Sequence, residues 1–140
     1  MKPLSTVIRR LFGQLVVAHE MSLSVNVRLR YEPGDPYAVR AAFNASDSDE
    51  SAEWIIGRDL LIDGLKGPVG EGDIRIWPTG EHDHCDLFIL LRPPDGTALL
   101  RAPAPEIRTF LQETEALVPR GAEAEHIDVD ALLAHLLAAG

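Results

Sequence analysis

The densest set of side chains able to do chemistry is Glu81-His82-Asp83-His84-Cys85-Asp86. Imidazole and thiolate bind zinc, which takes three or four such ligands in tetrahedral array. On a strand His82 and His84 share a face while Cys85 points away. Nothing in the spacing selects a further ligand from His19, His126 or His135, so the run reads as a solvated loop and a zinc hydrolase rests on it alone. Cys85 and His84 do not read as nucleophile and base either. Such a pair needs hydrogen-bond reach and an oxyanion donor, and neighbours on a strand diverge. Gly67-Pro68-Val69-Gly70-Glu71-Gly72 has the glycines of a phosphate loop but not its Lys and Ser/Thr, and Glu71 repels phosphate. It reads as a turn. The acidic stretch Asn44–Ser51 lacks the glycine and distal glutamate of an EF-hand, so calcium is not expected. No G-x-S-x-G or H-E-x-x-H occurs. The expectation is no catalytic residue, no metal and no cofactor: a protein that works by contact, not an enzyme.

Composition sets the frame for those residues. A chain of 140 residues fits one domain, 1–140, and 46% hydrophobic content supports an ordered core. Cys85 is the sole cysteine, which rules out an internal disulfide and favours a reducing, cytoplasmic setting. No apolar run approaches the roughly 18 residues of a spanning helix, so no membrane insertion is expected. Arg9-Arg10 before Leu11-Phe12 faintly resembles a twin-arginine signal. The apolar run behind it breaks at Gly13-Gln14 and ends at His19-Glu20 without a cleavage site, so export is not expected.

The net charge of -9 is uneven. Lys2, Arg9, Arg10, Arg28 and Arg30 against Glu20 leave residues 1–30 at +4 and the remainder at -13. Most of the surface therefore repels polyanions, and nucleic acid is not an expected partner. The basic amino end could dock on something acidic, but reads as a solvated edge strand.

The elements follow from periodicity. Residues 4–15 fit two templates. Leu4, Val7, Ile8, Leu11, Phe12 and Leu15 have helical spacing, whereas Val7, Leu11, Leu15 and Val17 fit one face of a strand. From Leu23 alternation is clean: Leu23, Val25, Val27 and Leu29 oppose Ser24, Asn26, Arg28 and Arg30, a half-solvated antiparallel strand. Glu32–Pro36 is a turn and Tyr37–Phe43 a strand. Glu53–Pro78 then reads strand, short helix, glycine-rich turn, strand. Asp59 sits at the positive helix end and Gly64 at its stop. Asp86–Arg92 is a continuous apolar run, as for a strand buried on both faces. Thr97–Arg101 is a short strand. Ile107, Phe110, Leu111, Thr114 and Val118 form a helix face, and Asp128 caps a last helix with Val129, Leu132, Leu133, Leu136 and Leu137 as its stripe. That last stripe reads first as packing on its own sheet; the part that exceeds what one small core needs would offer a route to self-association, as would sheet edges. About seven strands with two helices and one inserted short helix predict an α+β, antiparallel, partly closed sheet with helices against it.

A series of residues resembles a known family: Leu29-Arg30-Tyr31, Asp35-Pro36-Tyr37-Ala38-Val39, Trp54, Arg58-Asp59-Leu60-Leu61, Gly64-Leu65, Gly70, Gly72 to Pro78, Phe110-Leu111 and Val118-Pro119. In this order and at these distances it is similar to the SsgA-like proteins of sporulating actinomycetes, across nearly the whole chain. The resemblance implies a strand at the amino end and a barrel-like, Whirly-like antiparallel sheet assembled as a homotrimer. It implies a non-enzymatic role in sporulation-specific cell division. SsgB-like members act at the septum and recruit FtsZ, helped by other SsgA-like proteins. Arg30, Tyr31, Asp35, Tyr37, Arg58 and Asp59 are then the partner-interface candidates, taken as exposed. Their alternative role is ordering the turn and the helix start. The fold analogy also raises a single-stranded nucleic-acid binder, which needs a basic groove with stacking aromatics. An aromatic content of 6% and the sign of the charge weigh against it.

Overall fold

The computed structural model describes residues 6–18, 21–45, 51–80, 85–92, 97–127, 129–130, 133 and 136–137. Eight strands form one antiparallel sheet: β1 (Val7–Ala18), β2 (Met21–Tyr31), β3 (Ala38–Ala45), β4 (Ala52–Gly57), β5 (Val69–Glu71), β6 (Ile74–Thr79), β7 (Asp86–Leu91) and β8 (Ala98–Pro103). Their order across the sheet is β4-β3-β2-β1-β8-β7-β6-β5. Helices α1 (Arg58–Gly64) and α2 (Ala104–Leu117) pack on one face, and a 3-10 turn, Glu123–His126, follows α2. The curled sheet with helices is the expected α+β class.

The amino-terminal ambiguity resolves as strand because β1 is held from both sides. It pairs with β2 from Val7↔Tyr31 to Ala18↔Met21, and with β8 at Gln14↔Arg101, Leu15↔Leu100 and Val16↔Leu99. The expected edge strand is corrected here: β1 and β2 are central, and β4 and β5 are the edges. Gly13 allows this junction. A Cβ there would lie 2.9 Å from the Arg101 carbonyl oxygen, so only glycine lets β8 approach.

Eight strands replace the expected seven because the glycine-rich turn contains β5. It folds onto β6 through Gly72, whose φ of 58° is the left-handed conformation a tight hairpin requires. A second correction concerns β7. Leu87, Ile89 and Leu91 are buried, but Phe88 and Leu90 are only half-buried. The helices cover one face of the sheet, so the alternate residues of β7 meet solvent. Phe88 is partly shielded by Trp77, stacked at 5.7 Å, and by the Arg101 guanidinium at 5.9 Å.

The core lies between the covered face and the helices. Val25, Val27, Leu29 and Tyr31 of β2 and Ile107, Phe110 and Leu111 of α2 belong to this one core. The face predicted for α2 is the face it buries. The last apolar stripe falls mostly outside the described residues. Within them, Val129, Leu133, Leu136 and Leu137 are exposed.

Candidate interaction surface

The six candidates divide into two groups. Tyr31 and Arg58 are fully buried, so the exposure expected of them is corrected. Antiparallel alternation turns Tyr31 inward with Val25, Val27 and Leu29. Its hydroxyl donates to the Pro36 carbonyl at 3.0 Å, closing the Glu32–Pro36 turn from beneath. Arg58 begins α1, its own amide bonded to the Tyr37 carbonyl at 2.8 Å. Its Nη1 donates to the carbonyls of Val118 (2.7 Å) and Thr114 (3.3 Å) at the C-terminal end of α2. The Thr114 carbonyl also accepts the Val118 N–H at 2.9 Å, so Arg58 is its second donor, and a cation there meets the negative end of the dipole.

The rest of the guanidinium is held by charge. Nη2 lies 3.4 Å from Glu123 Oε2, and the group sits 5.0 Å from the Tyr31 ring centre. Nε and Nη2 make no hydrogen bond, so ion pairing and the aromatic face carry what hydrogen bonds do not. Glu123 is itself buried. Its carboxyl is held below the usual range by its own backbone N–H, then by the Gly121 N–H, which donates to Oε1, and by Arg58. Tyr31 moves the other way: burial pushes its hydroxyl to about 12, with Arg58 opposing and Glu123 and Asp35 adding. Neither Glu123 nor this cluster was found from sequence. The nearest signal is an Arg at a helix start followed by buried-type residues, which does not name its partner some sixty positions away.

The other four candidates are at the surface. Arg30 pairs with Glu32 and Asp35 with Arg40. Tyr37 is half exposed. Asp59 is joined to Arg120 at 2.9 Å, and the same guanidinium meets Asp63 at 3.0 Å. That hydrogen bond from Arg120 lowers the Asp63 pKa and raises that of Arg120. The arrangement ties α1 to the segment after α2. His82 and His84 lie outside the described residues. Cys85 is a half-buried free thiol, and among the described residues no group of His, Cys, Asp and Glu is arranged to hold a metal.

A different set stands on the open face. Arg10 lies opposite Arg28, and Phe12 opposite Asn26, across β1 and β2. Phe12 is 77% exposed. These side chains rim a hollow of about 340 Å³ with Ala42 and Asn44 of β3. Alternation with buried Val7 and Leu11 was the signal that could have found them.

Comparison with known proteins agrees with this geometry. Residues 25–123 match the family described as Streptomyces sporulation and cell division protein, SsgA. The chain belongs to the SsgA family. It is similar to the sporulation-specific cell division protein SsgB of Streptomyces coelicolor, with 46% identity over 134 residues, 96% of this chain and 97% of the relative. SsgB of Salinispora tropica is 42% identical over 126 residues, 89% and 88% of the two chains. Among solved structures, S. coelicolor SsgB superposes with a TM-score of 0.82 at 46% identity, covering 88% of this chain and 96% of that one. An SsgA-like sporulation-specific cell division protein of Thermobifida fusca gives 0.84 at 38% identity, covering 96% and 98%. The SsgA-family fold is thus this fold, and the relatives named are sporulation-specific cell division proteins. Among the described residues no helix is long and apolar enough to cross a membrane.

Proposed function

We propose that this SsgA-family chain is a non-enzymatic regulator of sporulation-specific cell division. It acts by protein–protein contact at the division septum, on the cytoplasmic side, to recruit or position FtsZ. The observation that carries this is the nearly end-to-end match to SsgB at 46% identity. Contact as the mode of action draws support from how the charges are spent. The buried Arg58 and Glu123 fasten α1, α2 and the 3-10 turn together, and Arg10 and Arg28 stand on an exposed sheet face. FtsZ and other SsgA-like proteins are the partners. Arg30, Asp35, Tyr37 and Asp59 remain contact candidates, since each reaches solvent. A homotrimer is the proposed assembly, supported by the exposed Leu133, Leu136 and Leu137.

Co-sedimentation with FtsZ polymers, with and without an SsgA-type partner, tests the reading. The protein should pellet with polymer or change its mass. Failure in both conditions removes direct recruitment. Sedimentation velocity should give the trimer mass, and a fluorescent fusion in sporulating hyphae should mark septa.

A further inference from the structure

The face of the sheet left open by the helices carries a charge arrangement that the fold does not need. Arg10, Arg28 and Ala42 form one row across β1, β2 and β3, and Phe12, Asn26 and Asn44 form the next. Arg30, Arg40 and Arg101 on the same face each meet a carboxylate: Glu32, Asp35 with Glu53, and Asp86. Arg10 and Arg28 have no ion pair among the described residues. Like charges directly opposite in an antiparallel pair cost stability, yet these two stand together in a chain whose net charge is -9. Among the described residues, no carboxylate is paired with either of them.

Shape adds to charge. Phe12 borders the 340 Å³ hollow beside Arg10 and Arg28, and also borders a second of about 340 Å³ that reaches Arg101. An extended segment crossing the strands would pass over Phe12 with room for a side chain on either side. Exposed aromatic residues of this kind are the usual anchors of protein contacts.

We infer that this face docks a short acidic peptide segment of a protein partner. Its carboxylates meet Arg10 and Arg28, its backbone meets the Asn26 amide, and its apolar side chains flank Phe12. The inference deepens the contact reading above and rests on it. A peptide fits better than nucleic acid for a countable reason. Affinity for nucleic acid grows with the number of phosphates neutralised, and among the described residues that line the hollow beside Phe12 the only cations are Arg10 and Arg28. Further phosphates along a strand would meet a molecule that is -13 outside residues 1–30. A segment with two or three carboxylates needs only this pair.

The test is fluorescence anisotropy with the full-length protein. The probe is a short fluorescein-labelled peptide in which glutamates flank a Leu-Leu centre. Competitors are the same peptide with lysine for glutamate and a short oligothymidine. Wild type should bind the acidic peptide, more weakly as salt rises, and ignore the lysine version. Arg10→Glu with Arg28→Glu should weaken binding roughly ten-fold or more, and Phe12→Ser roughly five-fold, the size of central contacts in an interface. All three side chains project from the open face, so melting temperatures should hold; if the double variant misfolds, Phe12→Ser decides. The inference is overturned if wild type does not bind the peptide, or if the variants bind it equally. It is also overturned if oligothymidine binds more tightly than the peptide. Self-association that the charge reversals abolish, and that the peptide does not compete, would assign the face to a second copy of the chain. FtsZ co-sedimentation separates the two proposals. If wild type and the double variant pellet equally, the docking face is wrong and the contact reading stands. If wild type binds peptide but never pellets, FtsZ is the wrong partner and the face stands.

Discussion

A guanidinium with no exposed surface is unusual, and at Arg58 it is tolerated because each neighbour contributes something. Two α2 carbonyls accept its protons, Glu123 supplies the counter-charge, and Tyr31 supplies a π face. Removing one partner of a buried pair leaves the other uncompensated, at about 3–5 kcal/mol. Arg58→Ala should therefore lower the melting temperature by far more than any surface change, measured by calorimetry. Arg58→Met with Glu123→Leu should recover much of that loss, since replacing a buried pair by apolar groups of similar volume is often neutral. The pH limbs follow from the shifts. The Glu123 carboxyl is depressed on folding, so its stabilisation is present above the ordinary carboxylate range and lost as pH falls through its lowered pKa. Tyr31 is raised to about 12, so its share is intact below about 10 and lost as pH climbs toward 12. Melting curves across pH should show Glu123→Gln with a flatter acid limb, and Tyr31→Phe with a flatter alkaline one. Tyr31→Phe should also cost about 0.5–1.5 kcal/mol for the bond to Pro36.

At the scale of elements, glycines set how closely the parts approach. Gly64 reads as a helix stop in the sequence, and it does end α1. Its φ is not positive, however, and the reason it is glycine is contact: a Cβ there would lie 2.4 Å from Ile76 Cγ2. Gly64→Ala should push α1 off β6 and cost about 1–3 kcal/mol, as overpacking does. Denaturant unfolding would detect it. Were stability unchanged, α1 would have slack that the contact denies. By contrast Arg120→Ala, which breaks the exposed pairs to Asp59 and Asp63, should cost no more than about 1 kcal/mol.

For the molecule as a whole, the described residues form one sheet with helices on one side and no second layer on the other. Arg10 and Arg28 sit in the middle of that face, on β1 and β2, not at an edge. Arg28→Thr should relieve the repulsion with Arg10 and leave the melting temperature equal or higher, even as peptide binding weakens. A fall in melting temperature would mean that Arg28 supports the fold through a contact other than charge. That pairing of gained stability and lost contact is the mark of residues kept for binding.

Much of this was legible along the chain. Strand alternation from Leu23, the strand–helix–turn–strand unit and the face of α2 are local patterns, and a pattern of period 2 or 3.6 states which side of an element is apolar. The family-like series named the fold because it spans most of those elements. Periodicity could not say which strands are central, because neighbours β1 and β8 are far apart in sequence. It could not say that Tyr31 and Arg58 face inward, because a buried cation is stable only when Glu123, Thr114 and Val118 arrive from elsewhere. Nor could it align Arg10 with Arg28, which depends on the register of two strands. Local apolar spacing was enough for the elements. Only tertiary packing, which brings distant charges into one low-dielectric space or leaves them in water, decided which polar residues hold the fold and which face outward.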